Sequence, residues 1–172
     1  MPSEVVIHDD WNPFILRFSN DIAILILEED IAFSRLIRPI CLIFDDIPTY
    51  GTQGTVVGWG VEPNSKQLNV KKAKKLRISI TSNEECYREN TDMGKIAWDK
   101  SFCAGKQGEG VCKGDSGGGV FIEIDNKFYF KGLVSSSTSV DRSGCYTGNF
   151  SLYTDVAKYT KFILNHKETE GE

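Results

Sequence analysis

Apolar residues along this chain fall into short runs separated by turn residues. Val5 to His8 and Asp21 to Leu27 predict two strands with a polar turn through Asn12-Pro13 between them. Within the second, the run from Ile22 to Leu27 is continuous and stops at Glu28-Glu29-Asp30, as in a buried strand. Residues 31–50, with Pro39 and Pro48, predict a connector rather than a regular element. Thr52 to Trp59 is the next strand expected, set among glycines at 51, 54, 58 and 60, and a polar loop over 61–75 follows it. Leu76, Ile78 and Ile80 then alternate with Arg77 and Ser79, which predicts a half-buried strand. Thr81-Ser82 followed by Glu84-Glu85 has the form of a helix N-terminus, so a short helix should run to about Glu89. Gly117 to Ile124 and Phe128 to Ser135 predict a hairpin joined by Asp125-Asn126-Lys127, and Phe150 to Val156 predicts another strand. From Asp155 the spacing turns helical through Val156, Tyr159, Phe162 and Ile163, ahead of the polar tail Lys167-Glu168-Thr169-Glu170. These elements describe an all-β barrel domain with one C-terminal helix.

Composition narrows the class. A length of 172 residues suits one domain, or one domain with an end cut off. With 40% hydrophobic and 26% charged residues the chain can pack a core, which excludes general disorder. A net charge of −4 gives no argument for nucleic acid or a membrane surface as partner. Met1-Pro2-Ser3-Glu4 and the acidic residues after it do not read as a secretory leader, and no apolar stretch is long enough to span a bilayer. Five cysteines without a C-x-x-C pair disfavour zinc or a redox dithiol, so no metal or cofactor is expected. Two disulfides and one orphan is the better count, and it implies an oxidising, extracellular compartment. That agrees with the leaderless start if the beginning of the protein lies outside this sequence.

Chemistry concentrates at Gly114-Asp115-Ser116-Gly117-Gly118. A serine hydroxyl is a poor nucleophile and needs a base, a group orienting that base, and donors for the oxyanion. Glycines on both sides of Ser116 allow a tight turn that exposes Oγ. The same turn can aim the N–H groups of Gly114 and Ser116 at one point, an oxyanion hole. Five fixed residues of ordinary abundance recur by chance at about one position in 10⁶, so the segment is specific.

With its neighbours, Cys112-Lys113-Gly114-Asp115-Ser116-Gly117-Gly118 resembles the active-site segment of the chymotrypsin/trypsin-like serine protease family. Other segments are similar in the same order. They are Asn20-Asp21-Ile22-Ala23-Ile24-Leu25, Arg38-Pro39-Ile40-Cys41-Leu42, Gly58-Trp59-Gly60, Phe102-Cys103-Ala104-Gly105 and Tyr153-Thr154-Asp155-Val156. The resemblance covers nearly the whole chain. It implies a trypsin-like double β-barrel with most of the first barrel missing. Residues 1–30 would be its remnant, 31–50 the connector, 51–155 the second barrel and 156–172 the C-terminal helix and tail. It implies Ser116 as nucleophile, Asp21 as the acid that orients a histidine, and Gly114 and Ser116 as oxyanion donors. Asp115 would pair with an amine released by activation cleavage. Cys86 should bond Cys103 and Cys112 should bond Cys145. Cys41 would be unpaired here, because its usual partner lies upstream, often in a light chain.

Two departures matter. The catalytic histidine is absent: the family places it several dozen residues before the aspartate, and this chain starts twenty residues before Asp21. His8 falls where a structural or surface histidine is ordinary, and His166 lies in the final helix. The specificity pocket also differs. Gly110 and Val111 stand where a trypsin has an aspartate and its neighbour, with Glu109 one residue off register. With Lys113, the pocket positions Ser135, Ser136, Ser137 and Ser151 complete a neutral, partly filled site that disfavours Arg and Lys at P1, since nothing would pair the buried cation. This pocket and Gly119, where the family usually has proline, resemble invertebrate modular proteases of immune cascades. Lys71-Lys72-Ala73-Lys74-Lys75 reads as a solvated loop, and Asn149-Phe150-Ser151 as an unused glycosylation sequon. The expectation is a serine endopeptidase acting on protein or peptide substrates. Of it this chain carries the serine and the aspartate but no base, so alone it should be inactive and poorly soluble. The competing expectation is a non-catalytic homologue acting as a binding module or cascade cofactor.

Overall fold

The computed structural model describes residues 1–12, 14, 18–43, 49–61, 72–106, 109–137, 145 and 150–166. Two sheets organise them. Strands β1 (Pro2–Ile7) and β2 (Ala23–Leu27) form an antiparallel pair in which Val5 faces Leu25 and Ile7 faces Ala23. The rest belongs to a seven-stranded sheet built from β3 (Cys41–Leu42), β4 (Gln53–Gly58), β5 (Lys74–Thr81), β6 (Ser101–Ala104), β7 (Gly119–Ile124), β8 (Lys127–Ser136) and β9 (Ser151–Asp155). Neighbours run β8-β7-β4-β5-β6-β9, and β9 pairs again with β8, so six strands close into a barrel. Strand β3 lies outside this ring, parallel to β8 at Tyr129 and Phe130.

Local chemistry explains the joints. Asp125 and Asn126 both take positive φ, 49° and 60°, as a two-residue hairpin turn between β7 and β8 requires. The turn is thus one residue shorter than expected, and β7 begins at Gly119 rather than Gly117 because residues 117 and 118 belong to the serine turn. Ser82 caps α1 (Asn83–Glu89) by accepting from the Glu85 N–H at 3.1 Å. Asn90 ends α1 and caps α2 (Thr91–Ile96), its Oδ1 accepting from the Asp92 N–H at 3.1 Å. The expected polar loop ends earlier than residue 75, since Lys74 and Lys75 already pair with Gly58 and Val57 in β5. At the other end a 3₁₀ turn, Val156–Tyr159, precedes α3 (Thr160–Asn165).

The barrel interior holds Val56, Ile78, Ile80, Phe102, Val120, Ile122, Val134 and Tyr153. A second cluster packs Cys86, Met93, Trp98, Cys103, Phe150 and Leu152 under the two short helices. One ion pair is interred in the barrel wall. Lys131 Nζ donates to Asp155 Oδ2 at 2.8 Å, with the ammonium 5.0 Å from the Phe102 ring, and both residues are under a tenth exposed.

The β1–β2 pair has no such cover. Val5, Ile7, Leu25 and Leu27 are 43–60% exposed on one of its faces. Its inner side is tied to the barrel by polar and aromatic contacts. Tyr159 Oη donates to Asn20 Oδ1 at 3.3 Å and accepts from Trp98 Nε1 at 3.3 Å. The His8 ring packs against Tyr159 and Phe162, at centroid distances of 5.5 and 4.8 Å. Burial pushes the Tyr159 phenol up to about 12. Among the described residues no helix is long and apolar enough to cross a membrane.

Candidate active site

The serine turn is held by four backbone bonds. Asp115 N–H donates to Cys112 O, Gly117 N–H to Val134 O, Gly118 N–H to Asp115 O, and Val134 N–H to Gly118 O, all at 2.8–3.0 Å. Gly114 and Gly117 adopt φ of +98° and +75°, which an L side chain rarely tolerates. Between them Ser116 is exposed at the surface. A disulfide from Cys112 to Cys145 pins one side of this turn, and a second, from Cys86 to Cys103, fastens α1 to β6. Cys41 is free and exposed.

Asp115 does not face the cavity beside Ser116. Its Oδ1 accepts from the Gly60 N–H at 2.8 Å and its Oδ2 from the Cys112 N–H at 2.9 Å. The carboxylate lies so close to the Gly58-Trp59-Gly60 segment that a Cβ on Gly58 or Gly60 would overlap it. Asp115 also lines a cavity of about 150 Å³ with Val56, Gly58, Gly60, Leu76 and Lys74.

Asp21 reaches the barrel from the start of β2. Ser135 Oγ donates to Asp21 Oδ2 at 2.7 Å, and Thr154 Oγ1 donates to the Asp21 carbonyl at 2.9 Å. The sequence places Ser135 among the specificity-pocket positions and Thr154 only within a similar segment. Their role as anchors of Asp21 depends on partners 114 and 133 residues away, which no local pattern announces. Asp21 and Ser116 line one cavity of about 460 Å³, walled by Ile7, Trp11, Leu25 and Leu133. His8 does not line it, although its neighbour Ile7 does. His166 is exposed, with Nδ1 2.8 Å from the Phe162 carbonyl. The cavity therefore has a carboxylate and a hydroxyl but no imidazole from this chain.

The pocket positions divide. Gly110, Val111 and Ser151 are buried, Ser136 is half-buried, and Ser137 Oγ donates to the Phe150 carbonyl at 3.1 Å. Lys113 is exposed, with its carbonyl taken by the Val61 N–H. Glu109 has not shifted register into the pocket. Its carboxylate accepts from the Ser79 N–H and Oγ at 2.9 and 3.2 Å and from the Lys106 N–H at 3.3 Å. Ser151 Oγ and Tyr153 Oη are buried with no hydrogen-bond partner among the described residues. Burial holds the Tyr153 phenol above its ordinary value, and the negative charges of Asp115 and Glu109 push the same way. Asn149 of the sequon and Lys71 of the lysine run lie outside the described residues. Among the described residues no cluster of His, Cys, Asp and Glu is placed to hold a metal ion.

Comparison with known proteins bears on the family. The family profile described as Trypsin matches residues 2–163. The chain is 32% identical to complement C1s subcomponent of Rattus norvegicus over 93% of its own length and 25% of that protein's. It is 31% identical to CLIP domain-containing serine protease B15 of Anopheles gambiae over 92% and 44%. With serine protease gd of Drosophila melanogaster it shares 28% identity over 92% and 36%. The chain thus spans about a quarter to under half of the length of these relatives. Its closed barrel, its two disulfides and a profile match across nearly all its residues lead to one conclusion: the chain belongs to the trypsin family of serine proteases.

Proposed function

We propose that this chain is the nucleophile-bearing and acid-bearing part of a secreted serine endopeptidase. The observation that carries the reading is the shared cavity of Asp21 and Ser116. A carboxylate fixed by Ser135 and an exposed serine hydroxyl face one apolar-walled space, an arrangement suited to a base between them. In this reading Ser116 Oγ attacks a peptide carbonyl, and the N–H groups of Gly114 and Ser116 bind the oxyanion. The base takes the serine proton and returns it to the leaving amine, and water then releases the acyl group. Asp21 orients the base and stabilises its charge. The base is a histidine from a half-domain outside this chain, to which Cys41 would also connect. Without it Ser116 remains a neutral hydroxyl, so the chain alone is inactive. Asp115 is the acid that pairs with an activation amine. Gly110, Val111, Ser137 and Ser151 make a neutral pocket that rejects Arg and Lys at P1. The two disulfides support an extracellular setting.

The test is peptide-ester hydrolysis by the longer gene product that includes residues upstream of Met1. Ser116→Ala should lower kcat/KM by at least about 10⁴-fold, and Asp21→Asn by about 10⁴-fold. The 172-residue chain should hydrolyse at background. Unchanged hydrolysis in Ser116→Ala would sink the reading. An upstream segment with another residue in place of the histidine would instead establish the non-catalytic homologue.

A further inference from the structure

We infer that the Arg35–Leu36 peptide bond is a cleavage site for an arginine-specific endopeptidase, and that the cut disconnects Asp21 from the barrel that carries Ser116. The site stands on exposure and chain chemistry. Only its consequence for hydrolysis rests on the reading above.

Residues 31–40 are all exposed and belong to no strand or helix. Among the described residues their hydrogen bonds stay inside the segment. Ser34 N–H donates to the Ile37 carbonyl at 2.9 Å, and the Leu36 and Ile37 N–H groups donate to Ser34 Oγ at 3.2 and 3.1 Å. Arg38 Nε donates to the Ser34 carbonyl at 3.3 Å. A protease takes its substrate in extended form, and opening this segment breaks no hydrogen bond to either sheet. Leu36, just after the bond, is 96% exposed, and Phe33, two residues before Arg35, is 70% exposed. Arg35 lines an open hollow of about 600 Å³ with Phe33, Arg38 and Pro39. Among the described residues it makes no ion pair, so its guanidinium is available to an acidic pocket.

The placing of the arginines makes the bond selective. Arg77 lies inside β5 and Arg88 inside α1, where the element's own bonds hold the backbone. Arg38 precedes Pro39, whose ring and missing N–H spoil the fit to an extended cleft. Arg17 and Arg142 lie outside the described residues. Arg35 is thus the one described arginine on a loop with an ordinary peptide bond after it.

Hydrolysis adds one water across this bond and leaves a carboxylate on Arg35 and an amine on Leu36. All five cysteines lie from Cys41 onward, so no disulfide within this chain spans the cut. The β1–β2 pair then depends on non-covalent ties. Of the described apolar residues before the cut only Ile22 is buried, and the rest of the hold is the bonds of Asp21 and Asn20 and the His8 ring contacts. In the whole chain the connector keeps the pair at high effective concentration. A free peptide with so few anchors does not stay bound at micromolar concentration. The cut therefore parts acid from nucleophile and acts as an irreversible off-switch.

The test is brief digestion of the native 172-residue chain with an arginine-specific endopeptidase, the products being read by mass and N-terminal sequence. The first new N-terminus should be Leu36. Arg35→Gln should slow that cut at least about 100-fold. Gel filtration without reductant at micromolar concentration should then part residues 1–35 from 36–172. Should the unaltered chain associate, the chain with Val5→Lys and Leu25→Lys, which adds no arginine, decides. A first cut elsewhere, an unslowed cut in Arg35→Gln, or a nicked chain that still elutes whole overturns the inference. None of these readouts is hydrolysis by this chain, so a failure here leaves the endopeptidase reading standing, and a failure of that reading leaves the cut in place.

Discussion

Asp115 shows how one side chain can dictate its neighbours. Its carboxylate takes N–H donors from Gly60 and Cys112 and fills the space where side chains at positions 58 and 60 would stand. The two glycines of the Gly58-Trp59-Gly60 segment are thus required by a residue that follows the second of them by 55 positions. Gly60→Ala should lower the unfolding free energy by at least about 2 kcal/mol, because a methyl group and a fixed carboxylate cannot share that volume. Gly51→Ala is the control. There the space is open and only φ of +80° opposes a side chain, so a loss of about 1 kcal/mol is expected. Urea unfolding of the two variants separates the cases, and equal losses would refute a role for Asp115. Much at this scale was legible beforehand. The identity of Ser116 and Asp21 as site candidates followed from short segments with strong backbone demands. That Ser135 also anchors Asp21 was not legible, since a hydroxyl reveals its partner only after folding.

Elements were readable where periodicity or capping is strong, and unreadable where partners decide. The alternation Leu76-Ile78-Ile80 marked β5, and Ser82 marked the start of α1. Strand β3, two residues long, exists because β8 offers a free edge at Tyr129 and Phe130, and nothing in Cys41-Leu42 announces it. Helix α2 was hidden by Gly94 and by Asn90 serving both helices. The buried pair on β8 and β9 was equally hidden, since Lys131 and Asp155 look like surface residues in isolation. Asp155 Oδ1 has no partner among the described residues, so within them the pair is not fully satisfied. Lys131→Met alone should cost about 3–5 kcal/mol by stranding a buried carboxylate, while Lys131→Met with Asp155→Leu should recover most of it. Denaturant midpoints of the single and double variants measure this. A double variant no more stable than the single one would contradict the account.

At the scale of the whole molecule, the two sheets differ in kind. The six-stranded barrel closes on itself and buries its apolar residues, whereas the β1–β2 pair shows Val5, Ile7, Leu25 and Leu27 to solvent. Such a face invites association. Sedimentation velocity of the 172-residue chain should show oligomers that grow with concentration. Val5→Lys with Leu25→Lys, which lie opposite each other in register, should return it to monomer. A concentration-independent monomer in the unaltered chain would count against an unpartnered face. Hydrophobic patterning identified these residues as a strand. It could not say whether the strand's exposed face has cover, because cover is a property of another surface.

The ties of Asp21 to Ser135 and Thr154 also have a consequence in time. Those partners come 114 and 133 residues later, on strands that are among the last to leave the ribosome. Closing loops of that length precedes any reward from the contacts they permit. Asp21 is therefore made early and seated late. During synthesis the serine turn and Asp21 remain strangers until β8 and β9 have shut the ring, so a half-made chain cannot bring even these two candidate residues to one cavity.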